Sequence, residues 1–399
     1  MKDTDAVAER LPEGFLEKLL TEVHAKGATH LHIEPEETGL RVRYRVDGKL
    51  RPGEPLPREL HAPLLAYVKG MSALDPNEQR LPQSGLFYLR TASIQLQCQV
   101  ETIPGILGEK LSLWLRDTSR RVELPLAGLG MSREQLGHLH AALRQRSGLI
   151  VFTGPMWSGR NTTAYSSILE LAPEGRSIAS IEEYVRGRLP KVHQLELKEA
   201  IGLNYAAALR SILRSDHDVI YLREVVDMET LDLSLRAVLS QNRLLLTTLH
   251  TQDAASVVTR MEDMGIEPWL IIRALRLVQA QRLLRRLCPH CRREVKADAS
   301  VLASAGLSPR SPLPPTLYAP YGCEHCEGLG YTGRVLVCET LPLTPTLQDL
   351  VLARASARDL KEAAIREGLK TLRVSGLERA CEGLTSLDEV LLGTPPDRS

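Results

Sequence analysis

Lysine is scarce in this sequence and unevenly spread. Of the 50 basic residues only 11 are lysine, and none lies between Lys110 and Lys191. Any chemistry that needs an ammonium in that stretch must do without one. Aromatic residues make up only 4% of the chain, so a stacking platform for single-stranded nucleic acid is poorly supplied. An excess of one charge is also missing. Fifty Lys plus Arg against 49 Asp plus Glu leave a formal charge of +1, so no global field recruits nucleic acid or anionic lipid, and no nucleic-acid partner is expected. No apolar run reaches the ~18 residues of a membrane span, and the opening MKDTDAVAERLPEG lacks the charged-then-apolar order of a signal peptide. A cytoplasmic protein without direct membrane insertion is expected. Seven cysteines are an odd number for a disulfide framework, and in a reducing compartment their spacing points to metal.

What is present is ordinary globular material. The 399 residues, 43% of them apolar and 25% charged, suggest two to four domains on a prior of roughly 100 to 200 residues each. In residues 13 to 27, Phe15, Leu19, Leu20 and Val23 recur at helical intervals, and Gly27 ends that helix. The segment LRVRYRVDGKL (40 to 50) alternates Leu40, Val42, Tyr44 and Val46 with Arg41, Arg43 and Arg45, and Asp47-Gly48 supplies a hairpin turn. This predicts a half-buried antiparallel strand with one arginine-rich face. Similar alternation in 93 to 103 and 109 to 117 completes a sheet-plus-helix domain over 1–118, and residues 119–132 read as a linker.

From 133 to 287 the order is helix, buried strand, glycine loop, helix. LIVFT (149 to 153), SIASI (177 to 181), DVIYL (218 to 222) and LLLTTL (244 to 249) predict four buried parallel strands in a three-layer α/β core. Residues 288–338 are dominated by Cys, Pro and Gly and can build no core. Short helices return over 339–399, with Leu360, Ala364, Ile365 and then Leu372, Val374, Leu377 and Ala380 as core candidates.

GPMWSGRNTT (Gly154 to Thr163) joins a buried strand to a helix. A phosphate loop needs glycines that let backbone N–H groups turn inward, a lysine for the β- and γ-phosphates, and a hydroxyl for Mg²⁺. Gly154 and Gly159 keep the four-residue spacing, with Pro155 and Ser158 inside the turn. Arg160 stands where lysine belongs, Asn161 where the hydroxyl belongs, and Thr162 follows. The alternative for a lone glycine pair is a strand-to-helix turn with no ligand.

The chain resembles the type II secretion and type IV pilus assembly ATPases, hexameric motors with a RecA-like P-loop core. The likeness runs over most of residues 27 to 392 and rests on GATHLHIEPEETGLRVRYRVDG, NEQRLPQSG, GLIVFTGPMWSGRNTT, LRSILRSDHDVIYLREVVDMET, LLLTTLHTQDA, AQRLLRRLCPHC, GCEHCEGLGYTGR and GLERACEGLTSLDEVL. It implies a smaller α/β, PAS-like domain before the core and a tetracysteine zinc knuckle and small helical domain after it. Such motors carry a further amino-terminal docking domain, for which no room is expected before residue 13.

The resemblance also implies roles. Glu224 would polarise the attacking water, with Glu182 and His250 as further catalytic residues, and Asp218 would belong to the Walker B region. Arg41, Arg43 and Arg45 match the strand that faces the nucleotide. Departures accompany the matches: Tyr184 replaces a proline, Arg186 a glutamate, Arg223 a glycine, Val226 an arginine, Arg243 the first histidine of the histidine box and Trp114 an arginine. Without their context Glu224 would read as a solvated strand-end carboxylate, His250 as a satisfied core histidine, and the three arginines as a solvated face.

Arginine is always charged, but its planar fork does not fill the compact space of a lysine ammonium. Asn161 offers only a carbonyl oxygen to Mg²⁺. Each lost transition-state contact is worth roughly 10²- to 10³-fold, so weak or absent turnover is expected, with ATP and Mg²⁺ binding left open because a helix N-terminus still attracts phosphate.

Cys288-Pro-His-Cys291 and Cys323-Glu-His-Cys326 can close a four-thiolate shell around a structural Zn²⁺, with His290 and His325 as bystanders and Cys338 a small core residue. The expectation is therefore a motor-family protein in a homo- or hetero-hexamer with related subunits, held at the inner membrane through secretion or pilus platform proteins. An active hexameric ATPase and a nucleic-acid translocase relative are the alternatives.

Overall fold

The computed structural model describes residues 14–46, 48–91, 94–117, 124–185, 187–198, 201–225, 227–295 and 316–397. The chain divides into two units, Met1–Arg121 with Arg186–Arg188, and Val122–Val185 with Leu189–Ser399.

In the first unit, α1 (Phe15–Ala25) precedes β1 (His30–Pro35), β2 (Leu40–Val46) and β3 (Lys49–Pro52), then α2 (His61–Met71), β4 (Gln83–Arg90), β5 (Gln95–Ile103) and β6 (Lys110–Asp117). The strands form one antiparallel sheet in the order β3-β2-β1-β6-β5-β4. Strict alternation assigns its two faces. Leu31, Ile33, Val42, Leu111, Leu113 and Val100 pack with Leu16, Leu20 and Val23 of α1 and Leu64 and Val68 of α2. His30, His32 and Glu34 lie opposite Arg45, Arg43 and Arg41 in register, so the arginine-rich face expected of β2 is present. Asp47 of the expected turn lies outside the described residues, and β2 and β3 pair with Val46 opposite Lys49.

The second unit holds α3 (Arg133–Leu143), β7 (Gly148–Thr153), α4 (Arg160–Leu171), β8 (Ile178–Glu182), β9 (Val192–Glu196), α5 (Tyr205–Leu213), β10 (Val219–Leu222), α6 (Met228–Ser240), β11 (Leu244–Leu249), α7 (Ala255–Asp263), α8 (Pro268–Ala274) and β12 (Leu275–Leu287). After these come β13 (Arg293–Val295), β14 (Leu317–Ala319), β15 (Tyr331–Pro342), α9 (Pro345–Leu352), α10 (Ala357–Arg366), α11 (Leu372–Cys381) and α12 (Leu387–Gly393). The main sheet runs β15-β12-β7-β11-β10-β8-β9 and is parallel except for the β12–β15 pair.

Side chains alternate between two cores. Ile150, Phe152, Tyr221 and Leu246 meet Leu139 of α3 and Tyr165 and Ile168 of α4. Leu149, Val151, Ile220 and Leu245 face the other helices, among them Leu235 of α6, Val258 of α7 and Leu360 of α10.

The four expected strands are β7, β8, β10 and β11, but the sheet has seven. The 13-residue β12 escapes the pattern because Gln279 and Gln281 are fully buried polar residues in its middle. Its partner β15 contains both Cys338 and Glu339, so the expected boundary between 288–338 and 339–399 falls inside a strand. The carboxy-terminal helices share the larger core through Leu347, Leu360, Leu377 and Val390. Two expected core positions there are exposed, Ile365 by 43% and Val374 by 41%, because each lies on the outer side of its helix. Among the described residues no helix is long and apolar enough to cross a membrane.

Candidate nucleotide site and tetracysteine cluster

The loop after β7 is tightly folded at both of its glycines. Gly154 has φ 146°, and a Cβ there would sit 2.5 Å from the Gln281 carbonyl oxygen and 2.7 Å from Ser158 Oγ. Gly159 caps α4 at φ 87° with no side-chain hydrogen bond to the helix, so the first N–H groups of α4 lack intrahelical partners. Gln281 Nε2 donates to the Ser158 carbonyl at 2.9 Å. The Ser158 hydroxyl is buried with no hydrogen-bond partner among the described residues. Pro155, Met156 and Trp157 are exposed. Backbone and hydroxyl therefore suit an anion.

The side chains at the key positions are engaged elsewhere. Arg160 Nη1 donates to the Leu249 carbonyl at 2.7 Å, and its Nη2 lies 3.0 Å from His250 Nε2. Glu224 Oε1 lies 3.0 Å from that same nitrogen. One nitrogen either donates to Glu224 or accepts from Arg160, so the imidazole serves one neighbour at a time. Burial and the Arg160 charge lower the His250 pKa, and Glu224 opposes them. The structure thus brings together Arg160, His250 and Glu224 from the ends of α4, β11 and β10. Asn161 is apart from them: its Oδ1 accepts from Tyr221 Oη at 3.0 Å. Thr162 is exposed one residue further along α4.

Glu182 is fully buried at the end of β8. Tyr165 Oη donates to its Oε2, and Ser180 Oγ (2.7 Å) and Gln194 Nε2 (3.4 Å) donate to its Oε1. Burial raises its pKa against those three donors. It sits in a hydrogen-bonded network with those three side chains. Its neighbour Glu183 lies 3.5 Å from Arg223 Nη1.

Asp218 is corrected by its position. It precedes β10, accepts the Ser177 N–H at 2.8 Å, and is one residue before Val219, which lies level with Leu244 and, across β11, with Gly148. The loop follows Thr153 at the other end of β7; six residues at roughly 3.3 Å each separate the two by about 20 Å. Asp218 therefore does not join the loop cluster.

In the first unit Glu34 gathers the arginines. Arg43 Nη2 lies 2.8 Å from its Oε1 and Oε2, Arg41 Nε is 3.4 Å away, and Lys110 Nζ is at 2.7 Å. Arg41 also pairs with Glu36 at 2.9 Å, and Arg45 Nη1 donates to the Gly48 carbonyl at 2.6 Å. Burial works against the Glu34 charge, yet Lys110 and Arg43 hold its pKa down at about 2.

The four cysteines converge. The Sγ atoms of Cys288, Cys291, Cys323 and Cys326 all lie within 4.8 Å of one another. Cys288–Cys323 and Cys291–Cys326 are 3.8 Å apart and Cys323–Cys326 3.7 Å. A tetrahedron with Zn–S of ~2.3 Å has an edge of about 3.8 Å, so the sulfurs fit a metal. Backbone N–H groups of Gly322, Cys323 and Gly330 donate to Cys291 or Cys326 sulfur at 3.1 to 3.3 Å, as a thiolate shell requires. His290 and His325 stack on each other at 4.1 Å. Cys338 is buried, which pushes its thiol up to about 12.

Sequence reasoning passed over Tyr221, Tyr165 and Gln281. Their only cue is a hydroxyl or amide inside an otherwise aliphatic strand or buried helix face.

An α/β ATPase fold with a loop of this kind and a tetracysteine cluster defines the class, and comparison with known proteins places the chain within it. A family model described as "Type II/IV secretion system protein" matches residues 5–392. The chain belongs to that family. It is 38% identical over 382 residues to the type IV pilus assembly ATPase PilB of Myxococcus xanthus, covering 95% of this chain and 67% of that one. It is 36% identical over 387 residues to PilB of Thermus thermophilus, covering 97% of this chain but only 43% of the relative. The type II secretion system protein HxcR of Pseudomonas aeruginosa is 37% identical over 377 residues, covering 94% and 76%. Among solved structures, the Legionella pneumophila ATPase DotB has a similar fold, with a TM-score of 0.70 at 16% identity over 96% of both chains. The pilus retraction motor PilT with bound ADP reaches 0.66 at 20%, over 95% of this chain and 97% of that one.

Proposed function

We propose that this chain is a nucleotide-binding member of the secretion and pilus motor family with weak or absent ATP hydrolysis. It would serve as a structural or regulatory subunit, in a hexamer with itself or with related motors, at an inner-membrane secretion or pilus platform. Its relatives are named as pilus assembly ATPases and secretion-system proteins.

The observation that carries the reading is the engagement of both key loop side chains. Arg160 is bound to the Leu249 carbonyl and faces His250, and the Asn161 oxygen is bound to Tyr221. The backbone around Gly154 and Gly159, the Ser158 hydroxyl and the uncapped α4 would hold the phosphates. Mg²⁺-ATP would supply the phosphoanhydride and its neutralising cation. No lysine lies between Lys110 and Lys191 to answer the β- and γ-phosphates, and the guanidinium must first leave its two partners to do so. Within the first unit, Arg41, Arg43 and Arg45 are already engaged by Glu34, Glu36 and the Gly48 carbonyl.

The four cysteines would hold a structural Zn²⁺, and the first unit would be the PAS-like domain of such motors. An active ATPase is the second reading, favoured by Glu224 standing 3.0 Å from His250, as a water-polarising carboxylate beside a histidine would. Mg²⁺-ATP hydrolysis by the wild type, beside an Arg160→Lys, Asn161→Thr double variant, decides between them. The double variant is expected to be at least tenfold faster. Wild-type turnover within tenfold of it, abolished by Glu224→Gln, would establish the active motor instead.

A further inference from the structure

Glu339 lies on β15 and is fully buried. Its two oxygens serve two different helices. Oε1 accepts the Ala254 N–H at 2.9 Å, and Oε2 accepts the Leu372 N–H at 3.2 Å. Ala254 is the N-cap of α7 and has no side chain able to cap it; Leu372 opens α11. A carboxyl group from a third element therefore caps one helix and reinforces the start of another, accepting N–H groups that the helices themselves leave unpaired.

The segment from His250 to Ala254 is held by further elements too. The Thr251 N–H donates to Thr153 Oγ1 at 2.9 Å, and Thr251 Oγ1 donates to the Asp253 carbonyl at 2.8 Å. Arg282 Nη2 of β12 donates to the Gln252 carbonyl at 2.6 Å. Lys361 of α10 lies 3.4 Å from Asp253 and 3.5 Å from Asp397. Thus β7, β12, β15 and α10 all converge on five residues that begin with the histidine facing Arg160.

We propose that Glu339 is a positioning residue that couples the His250 segment, on the rim of the phosphate loop, to the docking of the carboxy-terminal helix α11. Displacing either one costs Glu339 a hydrogen bond and exposes the other helix start. This deepens the nucleotide-binding reading by naming a route from the loop to the carboxy-terminal helices, and it rests on that reading only for its second test.

The charged groups facing Glu339 are Lys361 from α10, Arg282 from β12 and Asp253 from the segment before α7, with Asp397 beyond Lys361. Burial pushes the carboxyl up to about 7 despite Lys361 and the two N–H donors, and Asp253 adds to the rise. When the segment opens, the carboxyl returns to its ordinary value. Opening then becomes easier as pH rises from 5 to 7, by at most tenfold per unit.

Hydrogen exchange on the full chain, corrected for intrinsic rates, reads this directly in peptides spanning 251–258 and 371–377. Between pH 5 and 7 the wild type is expected to show at least a tenfold rise in both peptides together, and Glu339→Gln a flat profile in both. Glu339→Ala should raise exchange of both at least tenfold while β10 stays within twofold. A response in only one peptide, or the same pH profile in wild type and Glu339→Gln, overturns the coupling. In the second test a saturating fluorescent ATP analogue with Mg²⁺ should slow both peptides in the wild type but only 251–258 in Glu339→Gln; equal slowing in both proteins overturns it. An analogue that fails to bind the wild type counts against nucleotide binding, and the pH arm then decides the coupling alone.

Discussion

Tyr221 Oη donates to Asn161 Oδ1 at 3.0 Å, joining a fully buried ring of β10 to the first turn of α4. The ring also makes an edge contact with Tyr165 at 5.8 Å and 84°. Asn161 is thereby a structural partner of the strand as well as an imperfect substitute for a metal-binding hydroxyl. A buried bond of this kind contributes about 1 kcal/mol. In urea unfolding, Tyr221→Phe and Asn161→Ala should each destabilise by roughly that amount, and the double variant should lose about 1 kcal/mol less than their sum. Strict additivity would mean that the contact contributes nothing.

The tetracysteine cluster makes a stoichiometric prediction. Purified wild type should carry one zinc per chain, and Cys323→Ser close to none. The cluster is tied to the sheet through the Cys288 N–H, which donates to the Gly330 carbonyl at 3.0 Å, and through the Leu287 N–H, which donates to the Leu384 carbonyl at 2.9 Å. Removing the metal should therefore loosen the α11–α12 junction as well as the knuckle. With each kcal/mol worth roughly 1 °C in a chain of this length, and a structural zinc worth on the order of 10 kcal/mol, a thermal midpoint lower by about 5 °C or more is expected. Full zinc occupancy in the serine variant would show that the ion is held elsewhere.

Lys69 and Glu109 form an ion pair inside the first unit, 2.8 Å apart with side chains 1% and 3% exposed. Lys69 Nζ also donates to the Glu78 carbonyl at 2.7 Å, pinning the turn before β4. Removing one partner strands a buried charge, so Glu109→Leu should cost about 3 to 5 kcal/mol. Removing both is different, because the Glu78 carbonyl still accepts from Gln83 Nε2 at 3.0 Å. Lys69→Met, Glu109→Leu should therefore recover most of the loss in the same denaturation assay. A double variant as unstable as the single one would contradict a purely electrostatic penalty.

The sequence was readable where one physical signal dominated. Short apolar runs marked β7, β8, β10 and β11, alternation marked β2, β5 and β6, and paired Cys-x-x-Cys motifs marked the sulfur cluster. It was least readable where polar residues are buried. Gln279 and Gln281 disguised β12 because a period-2 pattern cannot show that an amide is satisfied inside a sheet. Glu339 reads as the start of the carboxy-terminal helical domain, yet it lies inside the strand β15. The positions of Arg160 and Asn161 in the loop were plain from spacing, but their partners, Leu249, His250 and Tyr221, lie 60 to 90 residues away and leave no local trace. Asp218 was misplaced for a related reason: proximity in sequence to Glu224 hides that a strand separates their two ends.

His30 offers a pH test confined to the first unit. Its ring stacks on Trp114 at 5.1 Å and lies 5.9 Å from His32. Burial, with His32, Arg45 and Arg116 adding to it, lowers its pKa from 6.5 to about 4. Above pH 6.5 the ring is neutral in both folded and unfolded chains and contributes no pH dependence. Between 6.5 and about 4 the unfolded chain takes up a proton that the folded one refuses, so stability falls as pH falls. His30→Gln removes that proton uptake, while the carboxylates that also weaken the fold in acid are common to both proteins and cancel in the difference. Urea unfolding of the two should run parallel from pH 8 to 6.5 and then diverge, the wild type losing stability faster down to about pH 4. Parallel behaviour throughout would mean that the ring binds its proton equally in both states, and that the Trp114 stack leaves it open to water.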